Sequence, residues 1–273
     1  KPCRDYEYDE DGNTVRIEYR DTEGNVVIST ANTAIIERTY DEDGHLISET
    51  YYDAAGSVSE NTSHISGIVK TYDENGLLIR DENQDIDGTL ITDIGYVSHL
   101  IDYTAMDLVS RDSYVDQDDE PVLLPAGYAA IEYQYDDLRN KIRTTYLDTE
   151  GNPIALPAGY AQIDLTYFRR KVVREEYADI KGKSVLATSG VHGIERTYDK
   201  DWNQTEVTYI DAGGDPVMNA DLGYATVRYE FDEARNVIAE YYLDASGNPV
   251  KDRVHTIRRT YDDKRAVVSE EQL

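Results

Sequence analysis

Tyr40-Asp41-Glu42-Asp43-Gly44-His45-Leu46, followed a few residues later by Tyr51-Tyr52-Asp53-Ala54-Ala55-Gly56, is the stretch that decides the fold. A Tyr-Asp pair opens a polar segment, and a second tyrosine stands eleven residues after the first. An aspartate comes two residues later and a glycine three beyond that. Working outward, the Tyr-Asp pair recurs at Tyr8-Asp9, Tyr72-Asp73, Tyr135-Asp136, Tyr198-Asp199 and Tyr261-Asp262, with degenerate copies at Tyr103, Tyr167 and Phe231-Asp232. The nine markers are spaced about 32 residues apart, within the range of periods that signals a repeat architecture.

The other columns keep phase with the first. The second tyrosine is Tyr19, Tyr51, Tyr114, Tyr146, Tyr209 and Tyr242; Tyr177 comes one residue early, and Asn83 replaces the aromatic once. The aspartate column is Asp21, Asp53, Asp85, Asp116, Asp148, Asp179, Asp211 and Asp244. The glycine column is Gly24, Gly56, Gly88, Gly151, Gly182, Gly214 and Gly247, with Asp119 as its exception. Gly-Tyr pairs at Gly95-Tyr96, Gly127-Tyr128, Gly159-Tyr160 and Gly223-Tyr224 precede the next marker by a constant offset.

Between these markers the chain alternates. Ala129, Ile131, Tyr133 and Tyr135 are interleaved with Ala130, Glu132 and Gln134, and Val15, Ile17, Tyr19 and Ile142, Thr144, Tyr146 repeat the pattern. A period of two places one set on each face of a strand. Segments such as Asp9-Glu10-Asp11-Gly12-Asn13 supply turn chemistry: aspartate accepts local backbone hydrogen bonds and glycine takes positive φ. Where the glycine is lost, at Arg139, Trp202 and Arg235, an asparagine follows at Asn140, Asn203 and Asn236, and the left-handed position is expected to pass to it. No stretch has a capped helical period. The expectation is an all-β fold, an elongated solenoid of stacked antiparallel β-hairpin repeats forming a single array over residues 1–273. A propeller is the main rival, but its blades need four strands in longer units.

Composition narrows the function. The 273 residues hold 55 acids against 27 bases, a formal charge of −28, which argues against nucleic acid and against a polybasic membrane anchor. The longest apolar stretch is too short to span a bilayer, so no membrane insertion is expected. One cysteine, Cys3, leaves no disulfide framework within the chain. Of the 27 aromatic residues, 24 are tyrosine, one is Trp202 and two are phenylalanine, a balance that suits half-wet strand surfaces and sugar contacts.

Tyr40-Asp41-Glu42-Asp43-Gly44-His45-Leu46 and Tyr72-Asp73-Glu74-Asn75-Gly76-Leu77-Leu78 resemble the Tyr-Asp-x-x-Gly-x-Leu core of YD repeats, found in RHS-type bacterial surface and toxin-delivery proteins and in teneurins. The resemblance implies extracellular β-hairpin repeats with a scaffold or shell role. Tyr51-Tyr52-Asp53-Ala54-Ala55-Gly56 and Tyr241-Tyr242-Leu243-Asp244-Ala245-Ser246-Gly247 are similar to the hairpins of choline- and glucan-binding cell-wall repeats, which implies polysaccharide contact. Choline cages in that family rely on tryptophan, of which this chain has one. Neither resemblance carries a catalytic residue over.

Enzyme signals are thin. The five histidines fall at different phases of the repeat, with no zinc-ligand spacing, nucleophile elbow or phosphate loop. Asp9-x-Asp11, Asp41-x-Asp43 and Asp199-x-Asp201 resemble the start of calcium loops. Turn formation accounts for them without metal, and Arg139 and Arg235 at equivalent turns oppose a cation. The expectation is therefore a non-catalytic, acidic repeat module of a larger secreted or cell-surface protein, with no metal and no cofactor. It would bind cell-wall or other polysaccharide, the junction tyrosines Tyr96, Tyr128, Tyr160 and Tyr224 being the candidate contacts. The alternative is a structural spacer or scaffold that adheres to a surface protein.

Overall fold

The computed structural model describes residues 3–86 and 95–273; Gly88 of the glycine column lies outside them. Within the described residues there are eighteen strands, all antiparallel to their neighbours, and no helix. The all-β hairpin-repeat expectation holds. Contacts gather the chain into two compact units, residues 1–132 with 147–152, and residues 133–146 with 153–273.

In the first unit the hairpins are Cys3–Tyr8 with Thr14–Arg20, Ile35–Tyr40 with Leu46–Tyr52, Gly67–Tyr72 with Leu78–Gln84, and Ser98–Tyr103 with Val109–Val115. In the second they include Gln162–Phe168 with Lys171–Ala178, Gly193–Tyr198 with Gln204–Ile210, Thr226–Phe231 with Val237–Leu243, and Thr256–Tyr261 with Val267–Gln272. Successive hairpins are paired edge to edge through a shorter ladder, for example Arg16 to Glu18 against Glu37 to Ile35 and Arg174 to Glu176 against Glu195 to Gly193. Pairing thus passes from hairpin to hairpin without the interruptions that separate propeller blades. Each repeat adds two strands to the sheet.

The interior lies under the ends of the second arms. Val115, Ala178 and Ile210 close their strands and are almost wholly buried. Each is bridged by the extended return that follows the Asp-x-x-Gly turn, as Val115 is by Pro121 and Ile210 by Pro216. The residue before a first arm is often buried as well, and it is small at Ala34, Ser66, Ala129, Ala161 and Ala225. Its backbone is shared between two arms: Tyr19 N–H donates to the Ala34 carbonyl, and Ala34 N–H donates to that of Tyr52. A large side chain has little room there, although His192 fills the same position.

One turn design serves throughout. The Asp41 Oδ1 accepts from the N–H of Asp43 at 3.0 Å and of His45 at 2.8 Å, while Gly44 N–H donates to the Asp41 carbonyl. Asp53 does the same for Ala55 and Ser57. A third turn, absent from the sequence reading, is built on Asn61, whose Oδ1 accepts from Ser63 and Ile65. The glycines of the Gly-Tyr pairs occupy the positive-φ place of this third turn, as at Gly127 and Gly159 with φ 93°.

The left-handed position does not pass to asparagine where glycine is lost. Arg139, Trp202 and Arg235 themselves hold φ of 65–66°, at a cost of about 1 kcal/mol each relative to glycine. The asparagine that follows has another task. The side-chain amides of Asn140, Asn203 and Asn236 donate at 2.8 Å to the Oδ2 of Asp136, Asp199 and Asp232. The aspartate of these turns is thereby tied at both oxygens, as Asp9 is by Asn13 in a turn that keeps its glycine.

Those bonds hold the carboxyls of Asp136, Asp199 and Asp232 below their ordinary value, the asparagine amide being the largest cause and turn N–H groups adding to it. A carboxylate depressed on folding stabilises the fold above its unfolded pKa, near 3.8. That contribution is lost as pH falls through the depressed folded value. Resistance to denaturant should be level from neutrality to about pH 4 and decline below it. Replacing the three aspartates by asparagine, which keeps an acceptor but cannot titrate, should shallow the acid limb, whereas Asp136→Ala should lower the denaturation midpoint at neutral pH. An acid limb of unchanged steepness in the triple variant would contradict this account.

Candidate functional site

The tyrosines were the sequence-level candidates, and their geometry separates them into two systems. The first-column hydroxyls reach the preceding repeat. Tyr40 Oη–H donates to the Thr14 carbonyl at 2.9 Å, Tyr72 to Leu46 at 3.1 Å and Tyr103 to Leu78 at 2.9 Å. In the second unit Tyr167 donates to Lys141 at 3.0 Å, Tyr198 to Val172 at 2.9 Å and Tyr261 to Val237 at 2.9 Å. Every acceptor lies at the start of the second arm one repeat back. Each of these tyrosines also sits at a β-bulge, as the register shift between Thr39 and Tyr40 shows. A bulge adds local twist and re-aims a side chain.

The second-column tyrosines and the Gly-Tyr tyrosines form ring ladders. Tyr114 stands between Tyr96 and Tyr128, with centroids 4.9 and 6.2 Å away. Tyr160 lies between Tyr146 at 6.4 Å and Tyr177 at 4.6 Å, stacked on the latter at an interplanar angle of 11°. Tyr224 lies between Tyr209 at 5.8 Å and Tyr242 at 5.0 Å. All four candidate contacts, Tyr96, Tyr128, Tyr160 and Tyr224, are thus half-buried members of ladders. Burial raises the phenols of Tyr96 and Tyr160 and pushes those of Tyr114 and Tyr209 up to about 12.

The acidic turns spend their carboxylates on their own backbones, and among the described residues no three His, Cys, Asp or Glu side chains gather as a cation site would require. His45 Nδ1 pairs with Asp41 at 3.0 Å under the Tyr72 ring, and His99 pairs with Asp112 at 2.8 Å beside Tyr114. The buried His192 lies between Ser184 and Glu176. The Ser184 Oγ stands almost equidistant from both ring nitrogens, at 3.1 and 3.2 Å. The His192 Nδ1 also lies 3.0 Å from the Val185 carbonyl. Cys3 is exposed.

One place departs from the repeat. Phe168 stands where seven other markers have aspartate and Tyr103 has Thr104, and Arg169-Arg170 makes a two-residue turn with φ of 47° and 65° in place of the five-residue turn. Trp202 occupies the left-handed position of the next repeat. The Phe168 and Trp202 rings are 6.0 Å apart, and the Arg169 guanidinium lies 5.5 Å over the first and 5.9 Å over the second. They border an open cleft of about 500 Å³ with Val173, Arg196, Lys200 and the backbone around Tyr198. Sequence reasoning passed over this site although the signal was present. The marker aspartate is missing after Tyr167, and the chain's one tryptophan lies a repeat away.

No family model matches the chain, and no curated protein matches it. Solved structures that are similar include the crystal structure of TcdB2-TccC3, at a TM-score of 0.45 and 15% identity over 99% of this chain and 14% of that one. That of TcdB2-TccC3-Cdc42 gives 0.41 and 17% over 99% and 14%. The Photorhabdus luminescens Tc holotoxin pore gives 0.27 and 13% over 99% and 13%. The chain spans about one seventh of the length of the chains it matches. The likeness to YD repeats therefore continues to rest on the Tyr-Asp motif and on the part its tyrosine plays.

The hydroxyl contacts give a paired test. Tyr198→Phe removes the bond to Val172 and should cost about 1 kcal/mol. Phe231 is the natural marker that lacks the hydroxyl, and Phe231→Tyr should restore a bond to its preceding repeat and stabilise by a similar amount. Denaturation midpoints of the two variants should move in opposite directions. Equal midpoints would leave the hydroxyls without a structural role.

Proposed function

We propose that the chain is a non-catalytic structural segment of a larger extracellular protein, a wall or spacer assembled from repeats. The observation that supports this most is the use made of the recurring side chains. Marker hydroxyls hold the preceding repeat, and second-column and junction rings hold one another. The turn aspartates hold their own backbones. Little of the repeated chemistry is left over for substrate or ligand. Cross-strand pairs such as Arg38 with Glu49 at 2.6 Å and Arg174 with Glu195 at 2.8 Å occupy most strand cations as well, so the excess charge is a solvated carboxylate surface that favours solubility.

Polysaccharide contact through Tyr96, Tyr128, Tyr160 and Tyr224 would need ring faces that the ladders already engage. The wall reading is tested by Tyr160→Ala, which removes a ring stacked on Tyr177. It should destabilise by about 3 kcal/mol or more, as loss of a well-packed aromatic does. A variant as stable as the wild type that loses co-sedimentation with insoluble polysaccharide would overturn the wall reading in favour of a tyrosine sugar platform. Turnover of glycoside, ester or peptide substrates by the purified chain would overturn its non-catalytic part.

A further inference from the structure

The cleft between Phe168 and Trp202 in the second unit stands outside everything the repeat requires. Two departures in adjacent repeats meet there. In one, the marker aspartate becomes Phe168, 57% exposed, and the turn shrinks to Arg169-Arg170. In the other, the chain's one tryptophan takes a position that glycine holds at Gly12, Gly44 and Gly76. Arg169, Arg170 and Trp202 keep the positive φ that their turns require.

The cations there are unusual for so acidic a chain. Arg169, Arg170 and Lys171 are consecutive and, among the described residues, none is paired with a carboxylate. Arg169 is held over the two rings, and Lys171 lies 5.8 Å from the Tyr198 ring centre. Arg196, also lining the cleft, is already paired with Glu175 through Nη2 at 3.0 Å. The acids nearby are already engaged: Asp199 accepts from its own turn and from Asn203, and Asp201 pairs with Lys200 at 2.8 Å.

The geometry points to a binding site for an anionic sugar unit of an acidic polysaccharide. The exposed Phe168 ring and the neighbouring indole offer flat apolar surface to a sugar ring. Arg169 and Arg170 offer donors to its carboxylate or sulfate. A plain acidic peptide would be served by the cations alone and leaves the paired rings unexplained. The inference is independent of the wall reading, since it uses residues that depart from the repeat.

Trp202, as the one tryptophan, makes its own fluorescence the readout. The intact chain is titrated with oligogalacturonate, with dextran sulfate and with neutral dextran. Poly-glutamate and oligothymidylate serve as the other polyanions. A saturable change in Trp202 emission with one or both acidic sugars, and none with neutral dextran, supports the site; the sugar that binds identifies the anion. Arg170→Gly suits the left-handed turn and should fold at least as stably, and Arg169→Gly/Arg170→Gly removes both cations. The double variant should raise the half-saturation concentration by about tenfold or more. The proposal is overturned by no saturable response to either acidic sugar, by an equal response to neutral dextran, or by tighter binding of poly-glutamate or oligothymidylate. Unchanged half-saturation in the folded double variant would overturn it too.

Discussion

The hydrogen bond from a marker tyrosine to a backbone carbonyl one repeat back is the constraint on which the rest of the structure depends. Successive hairpins share a ladder of only three residue pairs, half the length of the six within a hairpin such as Ile35–Tyr40 with Leu46–Tyr52. So short a ladder is a weak link. The tyrosine hydroxyl closes it at the turn end, where Tyr40 meets Thr14 and Tyr198 meets Val172. The bulge before each marker aims the ring backward, and at most markers the aspartate after it shapes the adjoining turn; Tyr103 and Tyr167 keep bulge and bond with Thr104 and Phe168 in its place.

At the opposite end of the hairpin, rings do the joining. The Tyr96–Tyr114–Tyr128 and Tyr146–Tyr160–Tyr177 ladders lie over the junctions where small residues such as Ala129 and Ala161 let strands come close. A phenol suits both ends because it combines a large apolar face with a hydroxyl that can stay wet or find a carbonyl. That explains why tyrosine dominates the aromatics where phenylalanine would serve an ordinary core.

Much of this was legible in the sequence, for physical reasons that also mark its limit. Strand positions and two of the three turns follow from period-two alternation and from aspartate and glycine at fixed offsets. The third turn was hidden because its first residue varies among Ser29, Asn61, Leu124, Leu156 and Ala187, so no side chain marks it. The fate of the left-handed position was misjudged: Arg139, Trp202 and Arg235 bear positive φ themselves, and the asparagine that follows bonds the turn aspartate instead. The candidate site was obscured by the repeat itself, which draws attention to what recurs. Phe168 and Trp202 become informative only against the pattern they break.

The central claim, that marker hydroxyls hold successive repeats together, is tested most directly by nuclear magnetic resonance of the hydroxyl protons. A proton committed to a carbonyl exchanges slowly with water and gives a resolvable signal. The account predicts such signals from Tyr40, Tyr72, Tyr103, Tyr167, Tyr198 and Tyr261, and none from Tyr6 or Tyr8, which are 44% and 60% exposed. Rapid exchange at all the marker tyrosines, indistinguishable from Tyr8, would contradict it.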